Sequence, residues 1–165
     1  MASILWEAIH GLTNCSGVHG ERDGVIFYGT WCYGSLGGMM QIYKNKEFAK
    51  WAAGEGIEDG DLCQAVAEIE KGLIDADLGG NVLKKRVSLA GRGKRGGART
   101  LIAYRQGNKA FFVYGFAKNI RANIQGAELK ALKAYARVLL SYSADELRKA
   151  IKAGALIKIE VEDGG

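Results

Sequence analysis

Residues 82–118 read VLKKRVSLAGRGKRGGARTLIAYRQGNKAFFVYGFAK, and the way this stretch folds decides the architecture. β-Branched and aromatic side chains dominate three runs within it, Val82 to Leu89, Arg99 to Arg105 and Ala110 to Lys118. Each run is bounded by glycine, asparagine or a charged turn, so each is expected to be a strand. Gln106-Gly107-Asn108 supplies a hairpin between the last two. Strict alternation along the third strand sends Phe111 and Val113 to one face and Phe112, Tyr114 and Phe116 to the other.

Upstream, Gln41 to Tyr43 suits a first strand, and Glu47 to Ala53 a short helix with Phe48 and Trp51 on its apolar side. Leu62, Val66, Ile69 and Leu73 are spaced by four, three and four residues, which marks one face of a helix beginning near Glu58. Gly79 and Gly80 close that section. Downstream, Leu129, Leu132, Ala136 and Leu139 return to helical spacing. Ser143 followed by Glu146 forms a capping box, because the serine oxygen accepts from the third helical amide while the glutamate reaches back. That last helix should stop at Gly154, leaving Ala155 to Val161 for a final strand. The order predicts an α+β domain over residues 40–165, with a mainly antiparallel sheet packed against helices on one face.

Residues 1–39 have a different composition. They hold no lysine, only four charged side chains (Glu7, Glu21, Arg22 and Asp23), eight glycines and both histidines. This stretch is expected to be a poorly ordered extension or an upstream leader without a catalytic role. His10 and His19, nine residues apart in glycine-rich sequence, are weak evidence for metal or acid-base chemistry and are not expected to take part in the mechanism. Cys15, Cys32 and Cys63 are odd in number and lack a C-x-x-C pairing, which argues against a disulfide framework and a zinc knuckle. With no basic n-region ahead of an apolar stretch, and no run of some 18 apolar residues, the chain is expected to be cytoplasmic and not to engage a membrane.

The net charge of +5 hides a strong asymmetry. Residues 78–127 carry eleven basic side chains and not one acid: Lys84, Lys85, Arg86, Arg92, Lys94, Arg95, Arg99, Arg105, Lys109, Lys118 and Arg121. The segment from Glu58 to Asp77 carries seven acids against Lys71 alone. A scattered charge run is ordinarily a solvated face, but so many cations without a carboxylate repel one another unless a polyanion neutralises them. Nucleic acid is the expected polyanion, since aromatic residues are interleaved with the cations and exposed bases stack on such rings. Tyr104 and Tyr114 are the better stacking candidates, and the phenylalanines are expected to be structural. Gly91-Arg92-Gly93-Lys94-Arg95-Gly96-Gly97 lacks the spacing of a Walker loop; its amides and side chains suit a phosphate, although a merely mobile loop has the same composition.

Three stretches resemble the RelE/HigB-type toxins of bacterial type II toxin-antitoxin modules: Lys84-Lys85-Arg86-Val87, the run from Gly91 through Gly97 to Arg99-Thr100-Leu101-Ile102, and Phe111 through Asn119. The likeness extends from Met40 through the final helix. It implies a RelE-like fold, a cognate antitoxin of helix-turn-helix type, and cleavage of messenger RNA on the ribosome, with inhibition of translation and growth arrest. Lys84, Lys85, Arg86, Arg99 and Lys118 match the family's basic strand positions, and Arg92 and Lys94 match its basic loop less firmly.

Cleavage by the RNA's own 2′-hydroxyl needs a base, a cation to stabilise the pentacoordinate phosphate and an acid for the leaving oxygen. No histidine lies in residues 40–165, so lysine and tyrosine must exchange the protons. Cations crowded together release protons more readily, which nominates Lys84, Lys85 or Lys94 as base or acid. Arg86 and Arg99 suit the clamp, Lys118 completes the catalytic candidates, and Arg92, Arg95, Tyr104, Arg105, Tyr114 and Arg121 are the expected RNA contacts. No carboxylate pair accompanies them, so neither a metal nor another cofactor is implied. Two alternatives share these features: a ParE-like toxin that inhibits a topoisomerase, and an RNA-binding module without catalysis.

Overall fold

The computed structural model describes residues 40–87, 97–105, 109–116 and 126–160. Strand β1 (Gln41–Asn45) leads into helix α1 (Lys46–Glu55) and helix α2 (Asp59–Glu70). Strands β2 (Ala76–Asp77), β3 (Val82–Val87), β4 (Ala98–Arg105) and β5 (Lys109–Phe116) follow, then helices α3 (Ala127–Ser141) and α4 (Ala144–Lys152) and strand β6 (Leu156–Lys158). The expected extension over residues 1–39 lies outside the described residues.

The strands form one sheet in the order β2-β3-β4-β5-β1-β6. Four of its pairings are antiparallel, and β1 runs parallel to β5. The α+β class and the mainly antiparallel sheet agree with the sequence. The single helical layer does not, because helices cover both faces. On one face, Phe48 and Ala52 of α1 and Leu62, Cys63, Val66 and Ile69 of α2 pack against Leu83, Val87, Ala98, Ile102 and Phe112. On the other, Leu132, Ala136 and Leu139 of α3 and Leu147 and Ala150 of α4 pack against Val82, Leu101, Ala103, Phe111 and Val113. Strands β3 to β5 are therefore apolar on both sides over much of their length, and each buried Leu, Val or Phe contributes roughly 1.5–3 kcal/mol.

The helices begin and end where local chemistry allows. Asn45 caps α1, its Oδ1 accepting from the Phe48 amide at 2.7 Å, and Gly56 terminates the helix with φ at 73°. The same asparagine donates through Nδ2 to the Val113 carbonyl at 2.9 Å and so ties α1 to β5. The Ser143/Glu146 capping box is present at the start of α4, and Gly154 follows the helix with φ at 72°. Helix α2 is shorter than its apolar spacing suggested: it ends at Glu70, and Leu73 is 58% exposed in the turn beyond it.

Strand β5 also departs from simple alternation. Leu101 pairs with Tyr114 but the next residue, Ile102, pairs with Phe112, so Val113 is an extra residue in β5, a bulge. The bulge resets the faces. Phe112 lies on the α1/α2 side, whereas Tyr114 and Phe116 join Phe111 on the α3/α4 side. The expectation that Phe112, Tyr114 and Phe116 share a face is thereby corrected.

Candidate nucleic-acid interface

Cross-strand register brings part of the basic set together. Arg86 on β3 stands opposite Arg99 on β4, and Arg99 stands opposite Phe116 on β5. One step along the same face, Lys84 is opposite Leu101, and Leu101 is opposite Tyr114. Directly opposed residues hold their Cβ atoms roughly 4.5–5.5 Å apart. Lys84, Arg86, Arg99 and Tyr114 thus form a compact patch on the α3/α4 side of the sheet. Arg86 is exposed, Lys84, Arg99 and Tyr114 are half-buried, and Phe116 is buried with its ring 6.0 Å from that of Tyr114. Phe116 therefore supports Tyr114 from below, consistent with a structural role for the phenylalanine.

The opposite face of the same strands is differently employed. Lys85 is only 6% exposed; its Nζ lies 2.6 Å from Glu68 Oε2 and donates to the Leu73 carbonyl at 2.6 Å. Thr100, opposite Lys85, donates its hydroxyl to the Lys85 carbonyl at 3.0 Å. Gly115, opposite Thr100, leaves room for the indole of Trp51, since a Cβ there would lie 1.9 Å from the ring. A buried ammonium with a carboxylate and a carbonyl in place anchors the turn after α2, and it points away from the patch. The nomination of Lys85 as base or acid is thereby corrected: a period of two puts adjacent residues on opposite sides, so Lys85 is turned away from Lys84 and Arg86.

Two other candidates stand apart from the patch. Tyr104 packs with the α1/α2 cluster, and burial together with the nearby Glu70 carboxylate raises its phenol pKa. Arg105 is exposed and opposite Lys109 at the far end of β4, six residues or roughly 20 Å from Arg99. Lys94, Arg92, Arg95, Lys118 and Arg121 lie outside the described residues.

An acid that the sequence did not nominate reaches the edge of the patch. Asp75 Oδ2 accepts from the Arg86 amide at 2.6 Å, and Asp75 Oδ1 lies 3.7 Å from Arg86 Nη2. Its only signal in the sequence was its place near the end of the acidic segment. Among the described residues, no group of three His, Cys, Asp or Glu side chains is arranged to hold a metal ion.

The cations and aromatic rings on one side of β3 to β5 suit a phosphate chain carrying bases. A family model described as the RelE toxin of the RelE/RelB toxin-antitoxin system matches residues 40–159. The chain belongs to the RelE toxin family. It is accordingly the toxin of a toxin-antitoxin system, with a cognate antitoxin as partner. No curated protein matches it. The region matched begins one residue before β1 and ends one residue beyond β6, so it takes in the whole sheet of this RelE-family toxin and all four described helices.

Proposed function

We propose that this toxin is a metal-independent endoribonuclease that cuts messenger RNA on the ribosome in the cytoplasm and so inhibits translation. The observation that carries the reading is the patch itself, with Lys84, Arg86 and Arg99 on one face of adjacent strands and Tyr114 beside them. Two opposed guanidinium groups suit one phosphate, because each presents a planar fork of donors to its oxygens. Family membership supports the same reading.

In the proposed reaction, the RNA 2′-oxygen forms a bond to phosphorus while the bond from phosphorus to the 5′-oxygen breaks. The products are a 2′,3′-cyclic phosphate and a 5′-hydroxyl. Arg86 and Arg99 hold the phosphate and stabilise the charge that accumulates on its equatorial oxygens. Lys84 exchanges the protons, from the 2′-hydroxyl or to the leaving oxygen, and Tyr114 stacks on a base. Lys94 and Lys118, outside the described residues, are proposed to complete the set. The antitoxin is proposed to be of helix-turn-helix type and acidic where it meets the patch. No helix among the described residues is long and apolar enough to cross a membrane.

Primer extension on ribosome-bound message after induction of the toxin tests the reading. Discrete new 5′ ends within coding sequence are the expected result. Intact transcripts under full growth arrest overturn it, and relaxed or damaged DNA in the same cells would instead indicate topoisomerase inhibition.

A further inference from the structure

We propose that Asp75 is a positioning residue for Arg86: it fixes the guanidinium over the cationic face without consuming the donors that a phosphate needs. The inference rests on the nuclease reading above and deepens it.

Strand β3 outruns its outer neighbour. Only Lys84 and Leu83 have partners in β2, namely Ala76 and Asp77, so the Arg86 amide lies beyond the end of the β2 ladder. Asp75 substitutes for the missing strand. Its Oδ2 accepts from the Arg86 amide at 2.6 Å, and its own amide donates to the Lys84 carbonyl at 3.2 Å. These two bonds, to Arg86 and Lys84 of β3, hold Asp75 at the sheet edge. The turn carrying it is also held from the opposite face, where Lys85 reaches Leu73 and Glu68.

The second carboxylate oxygen is the informative one. At 3.7 Å from Arg86 Nη2, Oδ1 is too far for a hydrogen bond but near enough to bias where the positive group sits. The guanidinium side chain remains 49% exposed. A carboxylate beside a phosphate-binding surface repels the ligand, so on affinity alone this acid is unfavourable. Its contribution is to geometry. It narrows the positions open to a long, flexible side chain that must meet Arg99 across the ladder, and ordering the clamp beforehand lowers the barrier in the transition state.

Asp75→Asn tests this, because the amide oxygen can still accept from the Arg86 backbone while the charge is lost. In the full chain freed of antitoxin, the urea midpoint should stay at the wild-type value. Turnover on ribosome-bound message should fall on the order of 10- to 100-fold. Affinity for an RNA blocked by a 2′-deoxy sugar at the cleavage site should be unchanged or tighter. A second readout needs no RNA: the Arg86 Nε–Hε resonance, identified by its absence in Arg86→Lys, should shift or broaden in Asp75→Asn while the Arg99 resonance stays. Turnover at or above wild type in Asp75→Asn overturns the proposal, as does an Arg86 resonance indifferent to the substitution. Where wild type itself cuts no RNA, the nuclease reading fails and the resonance alone decides whether Asp75 positions Arg86.

Discussion

Arg86 and Arg99 face each other directly across the β3–β4 ladder, on the same side of the sheet. Like charges so placed are unfavourable for folding, and Asp75 Oδ1 lies 3.7 Å from the Arg86 guanidinium. An arrangement that costs stability but gathers positive charge is understandable as a binding device. Arg99→Ala and Arg86→Ala should therefore separate activity from folding. Cleavage should fall about 100- to 1,000-fold, by the magnitude typical of a single transition-state donor. Stability should stay within about 0.5 kcal/mol of wild type or rise. Growth on induction and urea denaturation of the same variants check both halves.

Lys85 should behave in the opposite way. Lys85→Ala removes a buried stem and leaves Glu68 and the Leu73 carbonyl without their cation, at a cost of about 2–4 kcal/mol. Lys85→Met keeps the stem and should lose less. Equilibrium unfolding of the two variants measures the difference, and equal losses would contradict a structural ammonium.

Gly115 and Trp51 should be coupled. A Cβ at Gly115 would lie 1.9–2.4 Å from three carbons of the indole, and that ring is also packed beside Phe48 at a centroid distance of 5.4 Å. Gly115→Ala is expected to destabilise the fold by about 1–3 kcal/mol through overpacking. In a Trp51→Ala background the same substitution should cost almost nothing. A double-mutant cycle in urea reads the coupling, and additive effects would remove the steric explanation.

Tyr135 sets an alkaline limit. Burial first, and the neighbouring Tyr142 to a lesser degree, push its phenol up to about 12, against an opposing hydrogen bond with the Asn45 side chain. The folded state then holds this proton more tightly than the unfolded chain, whose phenol titrates near 10.0. The contribution is fully present below pH 10 and is lost as pH rises through about 12. Absorbance near 295 nm should show a late-ionising tyrosine that is lost in Tyr135→Phe, and the same substitution should remove its share of the slope of stability against pH.

Much of the fold was legible because local patterns and tertiary context agree. The apolar spacing of Leu62, Val66 and Ile69 became the buried face of α2, and the Ser143/Glu146 pair capped α4. The parallel pairing of β1 with β5 was not legible, since it joins residues 68 apart, Gln41 with Lys109, and no local period encodes it. Leu73 continued the helical spacing but lies outside α2, in the turn that the Lys85 ammonium holds by its carbonyl. The bulge at Val113 was equally hidden, because an extra residue alters which side chains share a face without altering composition.

The sequence by itself determined the charge of the surface that this toxin presents: a stretch of fifty residues without a carboxylate is cationic however its strands pair. Only the tertiary structure decided which cations act together. A strand sends successive side chains to opposite faces, so Lys84 and Arg86 reach the patch while Lys85 is buried against Glu68. The β5 bulge then brings Tyr114 to the side where Arg99 stands, and the turn after α2 carries Asp75, eleven residues away in the chain, to the backbone of Arg86.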